Sequence, residues 1–162
     1  MKLKILTAVL ALVCSTLYAQ TVEINNAWVR STVPGQQGTG AFMSITARDG
    51  AKLVGASSPV AGVVEVHEMK MEGDIMKMRA VPLLDLPAGQ TVHLKPGGYH
   101  FMLMDLKQAL PKDSKVPLTL RLQDTKGVES RLEVSVPVTV AAPAAAGGNS
   151  GHTGGQHGTG KH

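Results

Sequence analysis

Histidine and methionine residues are concentrated together in two short segments of the chain. His67 and His100 each lie beside methionines, and six of the eight methionines fall between Met69 and Met104. Imidazole nitrogens and thioether sulfurs are together the ligands of a soft monovalent ion, and thioethers select Cu(I) over zinc, calcium or magnesium. A single methionine on a strand more often fills a core than binds a metal. Core packing does not explain why a histidine is aligned with methionines in each of the two segments. We therefore expect a soft-metal site.

The first segment, residues 64–79, predicts a β-hairpin. Gly73 and Asp74 suit a two-residue turn between two strands. The predicted cross-strand pairs are Glu72 with Ile75, Met71 with Met76, Met69 with Met78, and Glu68 with Arg79. Because side chains alternate across a strand, His67 shares one face with the four paired methionines. Glu68 and Arg79 then form an ion pair on the opposite face.

The second segment, residues 96–104, predicts another strand after a Pro-Gly-Gly turn. By the same alternation, His100, Met102 and Met104 share one face, and the aromatic and apolar residues between them face the other way. His100 and Met102 can therefore point at one ion. Each of the two segments offers imidazole and thioether from a single face.

Short alternating runs of apolar and polar residues between Val22 and Val140 predict the elements that position these side chains. Residues 41–46, 118–122 and 131–136 are examples, and turns rich in Gly, Pro and Asp separate such runs. Alternation with a period of two is typical of half-buried strands, and no long stretch has a helical period. We therefore predict an all-β fold, an antiparallel β-sandwich or Greek-key barrel, for residues 20–140.

The amino terminus has the features of an exported protein. Two lysines precede the apolar run of residues 5–13, and a short stretch that begins with polar residues and ends with the small residue Ala19 follows it. This pattern predicts a signal peptide over residues 1–19, because the run is shorter than the ~20 apolar residues of a transmembrane helix. Lipid attachment at Cys14 is the alternative, but the valine before it is bulky where lipoprotein signals usually have a small residue.

Composition excludes several classes of protein. Cleavage after Ala19 would remove the single cysteine, so the mature chain would have no disulfide, no thiolate zinc site and no blue-copper site. A net charge of +4 is too small to indicate nucleic-acid binding. No nucleophile triad, phosphate-binding loop or paired carboxylate motif is present, and we do not expect an enzyme.

The carboxyl-terminal residues 141–162 differ in character from the predicted domain. An Ala/Pro linker is followed by a Gly-rich segment in which His152, His157 and His162 recur at every fifth position. This composition is typical of a disordered segment. Imidazoles bind Cu(II) well, so the tail is either a Cu(II)-binding segment or a solvated spacer with incidental histidines.

The sequence resembles the periplasmic CuA chaperone (PCuAC-type) family. The signature of that family is His, ten residues, Met, twenty-one residues, His, one residue, Met, and it falls on His67, Met78, His100 and Met102. The surrounding VEVHEM, MKMRAV and LKPGGYHFMLMDLK are also similar to the family, as is NAWVRSTVPGQQGTGAFMSI near the start. The likeness covers roughly residues 22–138. Some members of the family have similar His- or Met-rich extensions at the carboxyl terminus.

The resemblance implies a cupredoxin-like β-sandwich in the periplasm that binds Cu(I) through these four residues. It also implies a role in assembly of the CuA centre, with the CuA domain of cytochrome c oxidase or a Sco-type copper protein as the partner. The remaining methionines, Met69, Met71, Met76 and Met104, would lie beside the ion or on a docking surface. His93 has no expected role.

Two alternative functions remain open at this point. A copper-sequestering protein would use the same ligands but would not hand the ion on. An exported β-sandwich interaction module with a methionine-rich contact surface would bind no metal.

Overall fold

The computed structural model describes residues 21–143, and every regular element in this part of the chain is a β-strand. The strands are β1 (Val22–Arg30), β2 (Gly38–Ala47), β3 (Ala51–Ser57), β4 (Ala61–Glu72), β5 (Ile75–Ala80), β6 (Leu84–Leu86), β7 (Thr91–Leu94), β8 (Tyr99–Leu106), β9 (Lys115–Gln123) and β10 (Glu129–Thr139). The predicted all-β fold is confirmed. Residues 21–143 contain no helix that is long and apolar enough to cross a membrane.

The ten strands form one continuous hydrogen-bonded order, β5-β4-β8-β7-β2-β1-β10-β9-β3-β6. Neighbouring strands are antiparallel, except that β1 is parallel to β10 and β7 is parallel to β8. Residues 129–137 of β10 pair with β9, and Val138 and Thr139 pair with β1. β10 thus connects a half that contains β1, β2, β4, β5, β7 and β8 to a half that contains β3, β6 and β9.

The core lies between these two halves, as in a β-sandwich. Alternate residues of both halves are buried and belong to one apolar cluster, which includes Phe101 and Leu103 of β8 and Leu118 and Leu120 of β9. Since Phe101 and Leu103 face the core, the residues that alternate with them on β8 face outward. We call the side of β1, β2, β4, β5 and β8 that faces away from the core the outer face.

A β-bulge in β1 decides which side chains lie on the outer face. The register of β1 against β2 shifts by one residue between Asn25 and Trp28, and Asn26 has a φ of 52°. Asparagine tolerates this left-handed conformation better than most residues. The extra residue keeps Val29 in the core and pairs Trp28 with Phe42 on the outer face.

Candidate metal centre

The β4–β5 hairpin has the register that the sequence predicts. The four cross-strand pairs are Glu72 with Ile75, Met71 with Met76, Met69 with Met78, and Glu68 with Arg79. Gly73 has a φ of 64°, which glycine adopts without strain and which the tight turn requires. Nη2 of Arg79 lies 2.8 Å from Oε2 of Glu68, so the predicted ion pair is present. This hydrogen-bonded guanidinium lowers the pKa of the Glu68 carboxyl.

Pairing of β4 with β8 brings the two histidine- and methionine-containing segments together. His67 lies directly opposite His100, and Glu65 lies opposite Met102. The two imidazole rings are 6.0 Å apart between centroids and inclined at 68°. All four of these residues lie on the outer face, because the residues that alternate with them, such as Val66 and Phe101, are in the core.

Aromatic side chains shield the imidazole of His100 from water. The ring of Phe42 lies 6.2 Å from the His100 ring, and the ring of Trp28 packs on Phe42 at 4.5 Å. The guanidinium of Arg30 lies 5.7 Å from the centre of the Phe42 ring. As a result, His100 is only 7% exposed although it lies outside the main core. Sequence reasoning missed Trp28 and Phe42. Only the bulge in β1 places Trp28 on this face, opposite Phe42.

One nitrogen of each imidazole makes no hydrogen bond within residues 21–143. Nδ1 of His100 lies 3.1 Å from the carbonyl oxygen of Gly98, which leaves its Nε2 unpaired. Nε2 of His67 lies 2.9 Å from Oε2 of Glu65. Nδ1 of His67 is buried and has no hydrogen-bond partner. A buried polar atom without a partner costs ~1–3 kcal/mol, so the position of Nδ1 requires an explanation.

Glu65 is a further residue of the site that sequence reasoning missed. Its carboxylate is an acceptor, so Nε2 of His67 is the donor of their hydrogen bond and Nδ1 carries the lone pair of the neutral ring. Carboxylates orient metal-binding histidines in this way in other proteins. The signal was present in the sequence, since Glu65 lies two residues before His67 and therefore on the same face of the strand.

Thioethers lie on the same face as the histidine pair, and two of them line a cavity with His100. Met102 and Met69 line a cavity of about 320 Å³ together with His100, Phe42 and the glycines of β2. A Cβ atom on Gly38 would lie 3.3 Å from Cε of Met102, so this glycine leaves room for the thioether. Met78 lies opposite Met69 on the edge strand β5 and is 49% exposed. Met78 and His67 do not line this cavity.

The other predicted residues are outside the site or outside the described residues. His93 is exposed on β7, and its Nδ1 lies 2.9 Å from Oγ of Ser44. Cys14, the signal peptide and the tail histidines His152, His157 and His162 belong to residues 1–20 and 144–162, which the structure does not describe.

The candidate donors of this centre are imidazole nitrogens and thioether sulfurs. Within residues 21–143 there is no group of three or more His, Cys, Asp or Glu side chains that could hold a metal ion. Zinc, calcium and magnesium sites are built from such groups. Two unpaired imidazole nitrogens with thioethers on the same face fit a soft ion such as Cu(I).

Comparison with known proteins gives a family match over almost the whole described chain. Residues 22–138 match the LpqE-like family, which carries the description "Putative lipoprotein LpqE-like". A relative named "Putative lipoprotein Lxx21020", from Leifsonia xyli subsp. xyli (strain CTCB07), is 36% identical over 121 residues. The alignment covers 74% of this chain and 70% of the relative.

Two solved structures have a similar fold. One is described as the copper-bound PCuAC domain from PmoF2; it has a TM-score of 0.56 and 22% identity and covers 75% of this chain and 97% of its own. The other is the solution structure of CuI-DR1885 from Deinococcus radiodurans, with a TM-score of 0.54 and 31% identity over 77% of this chain and 80% of its own. Both are similar to this chain in overall fold.

Proposed function

The chain belongs to the LpqE-like family, and we propose that it is an exported, non-enzymatic copper carrier that binds Cu(I) through His67, Met78, His100 and Met102. The observation that carries this proposal is the pair of adjacent imidazoles, each with one unpaired nitrogen, on a face that also has thioethers. The names of the solved structures with this fold support it, since one is copper-bound and another contains Cu(I).

Cu(I) fits these residues better than a harder ion does. Coordination by Nδ1 of His67 would supply the partner that this buried nitrogen lacks. Thioethers bind Cu(I) without losing a proton, and they persist in an oxidising compartment where thiols pair or oxidise. The ion is the cargo of the protein and remains Cu(I) throughout.

A partly open site supports delivery rather than storage. The side chain of His67 is 13% exposed and Met78 is 49% exposed, so a partner protein can approach the ion from the β5 edge. We propose that the acceptor is the CuA domain of cytochrome c oxidase or a Sco-type copper protein. Sequestration for copper resistance is the second candidate function, because the same ligands could hold the ion without handing it on.

Removal of a ligand tests the metal site. We expect His67→Ala and Met102→Ala each to weaken Cu(I) binding by more than the ~10–100-fold that is typical of residues beside a metal site. The measurement is an anaerobic competition titration against a chromophoric Cu(I) chelator. His93→Ala is the matched control, because His93 is exposed on β7 and hydrogen-bonds Ser44 rather than the site. Parent-like affinity in both ligand variants would refute the assignment.

Transfer to an acceptor separates delivery from sequestration. We expect the Cu(I)-loaded chain to lose its ion to an apo CuA domain or to an apo Sco-type protein, because ligand exchange can begin at exposed Met78. Metal analysis of the two proteins after chromatographic separation measures the transfer. Retention of copper by the loaded chain with both acceptors would favour sequestration.

We further propose that the chain reaches the periplasm after removal of residues 1–19. The family description names lipoproteins, and the sole cysteine, Cys14, is the residue at which a lipid would attach. The intact mass of the mature chain distinguishes a start at Gln20 from a lipid-bearing start at Cys14.

A further inference from the structure

Exposed methionines continue beyond the candidate metal centre to the end of the β4–β5 hairpin. Met71 is 54% exposed and Met76 is 48% exposed, and they lie directly opposite each other. Isolated apolar side chains on a protein surface are common. A cross-strand pair of thioethers on the same face as His67 is a more specific arrangement.

The geometry of the hairpin allows three thioethers to reach one ion. Side chains directly opposite each other in an antiparallel pair have Cβ atoms about 4.5–5.5 Å apart. Met69 precedes Met71 by two residues on the same face, so it is diagonal to Met76. Methionine is unbranched and flexible, so the three sulfurs can converge without moving the backbone.

Charged side chains of the hairpin lie on its opposite face. Lys70 and Lys77 form a cross-strand pair there, and Nζ of Lys77 lies 2.7 Å from Oε2 of Glu72. The methionine face therefore presents thioethers without an ammonium group between them. A soft cation can approach this face more easily than the lysine face.

Met69 connects the two groups of ligands. It lines the cavity that contains His100 and Met102, and it lies opposite Met78. On this face of the hairpin, only the Met69–Met78 pair lies between the Met71–Met76 pair and His67.

We propose that Met69, Met71 and Met76 form a second, weaker Cu(I) site through which the ion enters and leaves the histidine centre. This inference rests on the proposed copper-carrier function and adds a route to it. Transfer is a stepwise exchange of thioether ligands in which copper stays monovalent, and no proton or electron is moved. Exposure of Met71 and Met76 makes this site the point of contact with a donor or acceptor.

Methionine methyl signals test the second site residue by residue. The full mature chain, labelled with 13C at the methionine ε-methyl groups, is titrated anaerobically with Cu(I), and in parallel with Ag(I). We expect the first equivalent to shift the Met102 and Met78 signals, and further equivalents to shift the Met69, Met71 and Met76 signals. Unshifted Met71 and Met76 signals at a tenfold excess of metal would overturn the proposal and would leave this face as an apolar docking surface.

Leucine substitutions provide the matched variants. Met71→Leu/Met76→Leu conserves volume and hydrophobicity but removes both sulfurs. We expect the Met69 signal to lose its late shift in this variant, while the Met102 signal still responds to the first equivalent. Lys70→Leu/Lys77→Leu also replaces a cross-strand pair by leucines, but on the opposite face of the hairpin. We expect every methionine signal of this variant to shift as in the parent. Loss of the late Met71 and Met76 shifts in this lysine variant would count against the proposal.

A histidine-free background separates this inference from the proposed function. In His67→Ala/His100→Ala, we expect Met71 and Met76 still to respond to Ag(I), because neither thioether depends on the imidazoles. If Met102 fails to respond in the parent protein, the copper-carrier function is wrong. If Met102 responds and Met71 and Met76 do not, only the second site is wrong.

Discussion

At the scale of single residues, glycines of β2 make space for the side chains that surround His100. A Cβ atom on Gly40 would lie 2.7 Å from Cζ of Phe42, closer than real side chains approach. The Phe42 ring is 5% exposed and is held by Trp28 and Arg30, so it has little freedom to move aside. The absence of a side chain at position 40 therefore determines where the Phe42 ring packs against His100.

Substitution of Gly40 should consequently affect both stability and metal binding. We expect Gly40→Ala to lower the free energy of unfolding by about 1–3 kcal/mol, the range for overpacking a filled site, and to weaken Cu(I) binding. Chemical denaturation of the apo protein and chelator competition measure the two effects. Gly98→Ala is the matched control, because a Cβ there would have its nearest neighbours at an ordinary 3.7 Å. Equal stability of the two variants would show that a side chain at position 40 does not disturb the packing of the Phe42 ring.

At the scale of elements, two ion pairs span the strands of the β4–β5 hairpin, and the pair of Glu68 with Arg79 changes the pKa of its carboxyl. Glu68 accepts hydrogen bonds from Nε and Nη2 of Arg79 on β5, and the neighbouring Tyr99 on β8 also lowers the pKa of this carboxyl. Lys70 adds a further positive charge nearby. The hydrogen bond from Arg79 is the main reason why the pKa of Glu68 lies below its ordinary value of 4.5. Since the pKa is lowered by folding, ionised Glu68 stabilises the hairpin.

The lowered pKa predicts how the stability of the apo protein depends on pH. The contribution of Glu68 is complete at pH values above the ordinary 4.5 and is lost as the pH falls through the lowered pKa of the folded state. We expect Glu68→Gln to be destabilising near neutral pH and to match the parent at strongly acidic pH. Denaturation midpoints from pH 7 downward measure this difference.

An unpaired carboxylate provides the control for that experiment. Glu23 is exposed on β1 and makes no ion pair within residues 21–143. We expect Glu23→Gln to follow the parent over the whole pH range. A constant difference between Glu68→Gln and the parent at every pH would show that the ion pair does not stabilise the hairpin.

At the scale of the whole molecule, the described chain ends beside the outer face that contains the candidate metal centre. Ala142 lines a cavity together with Trp28 and Phe42, and Phe42 packs against His100. His152 follows Ala142 by ten residues, a length of chain that can extend at most ~35 Å. Tethering a ligand at such a distance raises its local concentration near a second site. We propose that the tail histidines capture Cu(II) at a separate site close to the candidate Cu(I) centre.

Removal of the tail tests this role. We expect deletion of residues 147–162 to lower the number of Cu(II) ions bound per chain, because His152, His157 and His162 are lost. The affinity for Cu(I) should not change, since the thioether and imidazole ligands remain. Calorimetric titration with Cu(II) and chelator competition with Cu(I) measure the two quantities. Unchanged Cu(II) binding after the deletion would end the proposal.

Local sequence determined the parts of the site that depend on neighbouring residues in the chain. The turn at Gly73 and the two-residue period set the complete register of the β4–β5 hairpin, including the Glu68–Arg79 ion pair. The same period set the outward direction of His100 and Met102. The types of donor were also readable, because thioether and imidazole select a soft ion wherever the strands lie.

Tertiary structure decided which of these strands meet and how far each ligand is buried. His67 and His100 are separated by a long stretch of chain, and they become neighbours only because the core residues of β4 and β8 pack into one sheet. The burial of His100 depends on the β1 bulge, which adds one residue and thereby turns Trp28 toward Phe42. Alternation is a local property of a backbone, whereas strand pairing and bulges depend on the packing of the whole core.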